Sequence, residues 1–176
     1  MRNNLRISVI LVSAIFTADF LSAAVADEIP PRKPGGWEVV IEGEKIPKVT
    51  MKMCIDKETD KLFHKIGTDL AEQKCTRKDV KVVDNVATID SECKISNSKV
   101  TGTTVMKFTE DTAFHSEAKT HFEPALLGKT DAVTTQDGKW TGPCPSGMKP
   151  GDFIVADGIK VNIKTLDMLR KFLPAN

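Results

Sequence analysis

The stretch Cys75–Ile95, CTRKDVKVVDNVATIDSECKI, decides the fold. Val80 and Val82 alternate with Asp79 and Lys81, and beyond Asp84-Asn85 the residues Ala87 and Ile89 alternate with Thr88 and Asp90. Side chains of an extended chain point to opposite faces in turn, so this alternation predicts two half-buried strands. Asp and Asn tolerate the positive φ that a two-residue hairpin turn requires, which places the reversal at Asp84-Asn85. Pairing outward from the turn sets Val82 against Ala87 and Val80 against Ile89 on one apolar face. The same register brings Cys75 and Cys93 to neighbouring rungs at the open end.

Similar signals continue in both directions. Toward the C-terminus, Asn97-Ser98 marks a turn, and Lys99–Thr109 alternates with Val100, Met106 and Phe108 on one side. Phe114–Phe122 follows after Glu110-Asp111, with Phe114, Ala118 and Phe122 inward, and Pro124 and Gly128 end it. Residues 130–135 and 139–141 read as a last hairpin around Gln136-Asp137-Gly138. Phe153–Val155 and Ile159–Val161 read as a small hairpin around Ala156-Asp157-Gly158. Thr165 caps a short terminal helix with Leu166, Leu169 and Leu173 near one face, ended by Pro174.

Toward the N-terminus, residues 56–74 change period: Leu62, Ile66 and Leu70 recur every fourth residue among Lys, Asp and Glu, an amphipathic helix of about three turns. Asp56, Glu58 and Asp60 sit near its positive end, and Gly67 weakens its C-terminal half. Val49, Met51, Met53 and Ile55 form a half-buried strand, preceded by a turn between Gly43 and Pro47 and a first strand at Trp37–Ile41. The expected fold is mainly β (α+β): an antiparallel meander forming a curled sheet or open barrel, with one inserted helix and a short C-terminal helix.

Residues 1–26 read as a cleavable signal peptide. Arg2 and Arg6 precede an uncharged run, Ile7–Ala18, far short of the ~20 residues needed to span a bilayer. Ala24-Val25-Ala26 supplies small residues before a cut after Ala26. Residues 27–36, with Pro30, Pro31, Pro34 and Gly35-Gly36, form an extended lead-in, and 37–176 form a single domain with no apolar segment long enough to cross a membrane. The address is the periplasm, with secretion as the alternative. Removing Arg2, Arg6 and Asp19 from a chain of 25 basic and 24 acidic residues leaves the two signs equal in number. A neutral chain lacks the basic face that nucleic acid demands.

Cys54, Cys75, Cys93 and Cys144 are even in number and, in an oxidising compartment, form two disulfides. No C-x-x-C knuckle supports a zinc site, and three connectivities remain open. Cys54–Cys75 with Cys93–Cys144 is favoured because it staples the helical excursion to the sheet, and the hairpin register makes Cys75–Cys93 its rival.

No catalytic constellation stands out. No serine sits in a nucleophile elbow, no glycine loop cradles phosphate, and no cofactor is expected. His115, Glu117, His121 and Glu123 share one face of a strand and form the alternative reading, a metal site or enzyme. Against it, Lys119 sits amid the row, and positions six apart lie about 20 Å from each other in an extended strand. A curled sheet also offers a concave face, lined by Val80, Ile89, Met106, Phe108, Phe114 and Trp140, that could hold a small apolar ligand. The leading expectation is a non-enzymatic binding or interaction module for such a ligand or for an envelope protein.

The order of motifs is also familiar. Pro31-Arg32-Lys33-Pro34-Gly35-Gly36-Trp37-Glu38 precedes a strand ending Met53-Cys54, an acidic helix, Cys75 and Cys93. Trp140-Thr141-Gly142-Pro143-Cys144-Pro145 and Met148-Lys149-Pro150-Gly151-Asp152 follow. This resembles the bacterial domain-of-unknown-function family 3617 over nearly all of residues 27–176, with Gly36 standing where the family more often has an apolar residue. The resemblance implies a bacterial, periplasmic protein and supplies no activity, cofactor or catalytic residue.

Overall fold

The computed structural model describes residues 28–44, 46–155 and 158–172. The expected signal peptide with its cut after Ala26, the expected Ala156-Asp157 turn positions and the expected Leu173-Pro174 helix end lie outside them. The elements in chain order are β1 (Gly35–Gly43), β2 (Ile46–Ile55), α1 (Lys57–Lys74), β3 (Cys75–Val83), β4 (Val86–Ile95), β5 (Ser98–Thr109), β6 (Ala113–Leu126), β7 (Lys129–Gly142), β8 (Asp152–Ile154), β9 (Lys160–Asn162) and α2 (Ile163–Phe172). The strands form one antiparallel sheet of order β3-β4-β5-β6-β7-β1-β2-β8-β9, not closed into a barrel. The meander β3–β7 ends against β1, so the chain's first hairpin completes the sheet that its middle builds.

The β3–β4 hairpin has the register that its turn dictates as far as Arg77, with Val82 facing Ala87 and Val80 facing Ile89, and a register shift between Cys75 and Arg77 then sets Cys75 directly opposite Cys93. Asp84 takes a φ of 53° in the turn. The inner face carries the core, in which Trp37, Val39, Met53, Ile55, Val82, Ala87, Phe108 and Phe114 are buried together. Phe114 stacks on Trp37 with ring centroids 6.1 Å apart.

The expected hairpin at Gln136-Asp137-Gly138 is replaced by one continuous strand, β7, which runs through those residues and pairs with β6 on one side and β1 on the other. Gly138 is present for close approach, not for a turn. It faces Phe114 and Val39 across the two ladders, and a Cβ there would run into the Phe114 ring. Gly138→Ala should therefore cost about 1–3 kcal/mol through overpacking. Thermal unfolding checks this, and an unchanged melting temperature would contradict the close-approach role.

Helix α1 runs 18 residues, longer than the expected three turns, and passes through Gly67. Its start is a reciprocal cap. Asp56 Oδ1 accepts from the Thr59 N–H at 2.8 Å, and Thr59 Oγ1 accepts from the Asp56 N–H at 2.9 Å. That satisfies two of the amides a helix N-terminus leaves open. The hydrogen bond from the Thr59 backbone holds the Asp56 carboxyl below its ordinary pKa. Phe63 on the same helix meets Phe153 of β8 edge to face at 5.6 Å.

The C-terminal elements dock through a turn. Gly151, with φ of 94°, donates its N–H to Cys54 O and accepts from the Ile163 N–H, each at 2.8 Å. Burial would raise the pKa of Asp152, but hydrogen bonds from Asn162 and the Lys149 amide outweigh it and lower the value. Asn162, not Thr165, caps α2: its Oδ1 accepts from the Lys164 N–H at 3.0 Å. The helix buries Ile163 and turns Leu166 and Leu169 outward, 37% and 54% exposed. The expected leucine face is therefore not its packed face, because the helix is anchored through Ile163.

The disulfides are Cys54–Cys144 and Cys75–Cys93, which overturns the favoured pairing. Helix α1 carries the chain from β2 to the opposite edge of the sheet, so Cys75 leaves Cys54 behind and arrives directly opposite Cys93. Cys144 follows β7, and Gly36 of β1 faces both Gly142 and Cys54, which brings the end of β7 to Cys54.

Candidate functional site

The lead-in is tied down as a strap. Lys33 N–H donates to Asp111 O at 2.9 Å. Trp37 Nε1 donates to Lys33 O at 2.8 Å and Trp140 Nε1 to Pro34 O at 3.0 Å, so the two tryptophans grip the strap backbone. The Lys33 ammonium lies 4.3 Å from the Trp140 ring centroid. Arg32 turns inward. Its backbone N–H donates to Asp60 Oδ2 at 2.9 Å and its Nε–H to Asp60 Oδ1 at 2.7 Å. Its guanidinium lies 5.7 Å from the Trp37 ring and 5.9 Å from the Phe63 ring. The side chains of Arg32 and Asp60 are 10% and 2% exposed. This is a desolvated ion pair with both carboxylate oxygens satisfied and cation–π support.

His64, one turn on from Asp60, places Nε2 3.7 Å from Asp60 Oδ1, too long for a hydrogen bond, and this buried nitrogen has no hydrogen-bond partner among the described residues. Burial lowers the imidazole pKa below its ordinary value against the opposing attraction of Asp60, with Arg32 and Lys78 adding to the decrease. His64 is therefore neutral at neutral pH.

Asp60 and His64 belong to the wall of a groove of about 1450 Å³. One side is the strap at Glu28–Pro31. The other is α1, through Lys57, Asp60, Lys61, His64 and Lys65, positions that share a helix face at i, i+3, i+4, i+7 and i+8. Between them lie residues 75–81 without interruption. Alternate residues of a strand point to opposite faces, so an unbroken run on one groove marks the strand's edge. β3 is the terminal strand of the sheet, and its outer edge runs along the groove. Six cations, Lys57, Lys61, Lys65, Arg77, Lys78 and Lys81, stand against three carboxylates. Of those three, Asp60 is engaged by Arg32 and Asp79 by Arg77 at 2.6 Å. The groove is basic in a chain that is close to neutral overall.

The six residues expected to line a concave ligand face do share the inner face. Phe108 and Phe114 are buried within the core, Val80, Met106 and Trp140 pack against it, and Ile89 is half-buried opposite Val80 and Thr104. His115, Glu117, His121 and Glu123 lie on the other face. His115 Nδ1 meets Asp137 Oδ1 at 2.7 Å, and His121 Nδ1 meets Asp131 Oδ1 at 2.9 Å, each across the β6–β7 ladder. The His121 hydrogen bond lowers the Asp131 pKa. Glu117 pairs with Lys119 at 3.0 Å, and Glu123 is exposed opposite Lys99. Among the described residues, no three His, Cys, Asp or Glu side chains are grouped to hold a metal.

The groove was not anticipated. Its signals were present as Arg32 inside a Pro/Gly-rich stretch and as the i, i+4 pair Asp60 and His64 on α1, but neither reveals that strap, helix and edge strand meet.

The fold and the strap's contacts account for the motifs that run from Arg32 to Cys144, and this is the segment the chain shares with a known family. The model of the family described as "Protein of unknown function (DUF3617)" matches residues 32–144, and the chain belongs to that family. No curated protein and no solved structure matches the chain.

Proposed function

We propose that the protein is an exported, non-enzymatic interaction module that holds a segment of an envelope protein in the groove between α1, the strap and β3. The observation that carries this reading is the open, charge-lined groove on the sheet's terminal strand. The apolar residues of the inner face are packed on one another, which favours a protein segment over a small apolar ligand. The metal or enzyme alternative has no comparable support, because His115 and His121 each take a separate carboxylate partner. Residues 1–26 are proposed as a signal peptide cut after Ala26, with the periplasm as the address. Two disulfides fit an oxidising compartment, and no helix among the described residues is long and apolar enough to cross a membrane.

Photo-crosslinking in producing cells tests the groove. Probes at Lys61 and Arg77 should yield one discrete adduct in common, and a probe at the exposed Lys139, on β7 four strands away from β3, should not. Equal adducts from all three positions would sink the reading. So would a small apolar molecule that native mass spectrometry finds bound to wild-type and groove-substituted protein alike. N-terminal sequencing of protein recovered from the envelope should begin at Asp27, and a start at Met1 would reject export.

A further inference from the structure

We infer that the groove takes an extended, acidic protein segment by strand addition, the segment lying antiparallel to β3 as a tenth strand of the sheet. This rests on the interaction-module reading and names the partner's chemistry.

Two independent features converge on it. The first is the backbone. An edge strand presents a row of unpaired N–H and C=O groups, every second residue facing away from its one neighbour. Among the described residues β3 pairs with β4 alone, and residues 75–81 lie along the groove as an unbroken edge. That run spans roughly 20 Å, the length of a six- or seven-residue extended segment. Main-chain pairing of this kind supplies affinity with little demand on sequence, and flanking side chains supply the selection.

The second is charge. Arg77 and Lys81 project from β3 on the face away from the core, and Lys78 projects on the core face, by the parity fixed when Val80 and Val82 face inward. Lys57 and Lys61 approach from α1, and both are exposed. An added strand therefore meets Lys81 on its outer face, where Asp79 already pairs with Arg77, and Lys57, Lys61 and Lys78 on the other, which acidic side chains complement and basic ones oppose. The same charges deter pairing with a second copy of β3, since two such edges would bring Arg77 and Lys81 of each against the other.

The test uses the full oxidised protein and fluorescence anisotropy with a heptapeptide of alternating glutamate and valine. Saturable binding is expected, weakening as salt rises. The Lys57→Glu/Lys61→Glu/Lys81→Glu variant should bind about tenfold or more weakly, as should the heptapeptide with alternate backbone nitrogens methylated, which keeps its charge but cannot pair with an edge. A lysine-valine heptapeptide should not bind.

Undiminished binding of the methylated peptide would overturn strand addition in favour of general anion attraction. So would tighter binding of anionic lipid vesicles than of the acidic heptapeptide, and concentration-dependent dimerisation that the acidic heptapeptide competes away would assign the edge to a second copy. If the heptapeptide fails to bind while the Lys61 and Arg77 crosslinks still converge on one partner, strand addition falls and the interaction module stands. If both fail, both fall.

Discussion

Asp60→Ala should destabilise the protein by about 3–5 kcal/mol, a large share of the roughly 5–15 kcal/mol that holds a domain of this size together. The cost arises from what is left behind. Arg32 remains between Trp37 and Phe63 with its Nε–H and backbone N–H unanswered. A guanidinium does not shed its proton to escape burial. It must either stay desolvated and unpaired or swing out, taking the strap's grip on α1 with it. Urea unfolding reads the loss as a lowered midpoint with little change in slope. Replacing both partners, as Arg32→Met/Asp60→Leu, removes charge from both ends of the pair. It should restore most of the stability, because an apolar pair of similar volume often matches a buried ion pair. Lys61→Ala, next in sequence but exposed, should change the stability by less than about 0.5 kcal/mol. If Asp60→Ala costs no more than Lys61→Ala, the strap is not held through this pair.

The contrast between Asp60 and Lys61 shows which parts of this molecule a sequence discloses. Local periodicity marks strands and helices, and a two-residue turn propagates register by counting, so the facing of Val80 to Ile89 is readable from Asp84-Asn85 outward. Counting puts Cys75 and Cys93 only on neighbouring rungs, and a register shift between Cys75 and Arg77 closes the last step. Long-range partnership is a different matter. Asp60 reads as one of three acids near a helix N-terminus until the fold places Arg32, 28 residues earlier, against it. Gly138 beside Asp137 carries the usual mark of a turn, and only the ring of Phe114 on the neighbouring strand shows that the missing Cβ serves packing. The terminal helix misleads for a similar reason: Leu166 and Leu169 read as an apolar face, and only the fold shows that the helix packs through Ile163 instead. The groove depends on three segments meeting, of which none is distinctive alone.

The disulfide outcome carries the second large effect. In the chain-entropy description, a crosslink stabilises by restricting the unfolded chain, and more so for a longer closed loop. Cys54 and Cys144 are 90 residues apart and Cys75 and Cys93 are 18 apart. These separations correspond to about 4.5 and about 3 kcal/mol respectively. The structure widens the gap. Cys75 and Cys93 already face each other across the β3–β4 ladder, so removing their bond frays one edge strand beside the groove. Cys54 is fully buried and its carbonyl receives Gly151, the residue through which the turn before β8 docks. Losing the Cys54–Cys144 bond loosens the end of β7, the Gly142–Pro145 segment and the seat of the C-terminal elements together. Cys54→Ala/Cys144→Ala should therefore lower the unfolding midpoint more than Cys75→Ala/Cys93→Ala. It should also raise tryptic cleavage after Lys139, near the loosened end of β7. Equal losses from the two pairs, or a greater loss from the shorter loop, would mean that loop closure is not what the longer bond contributes.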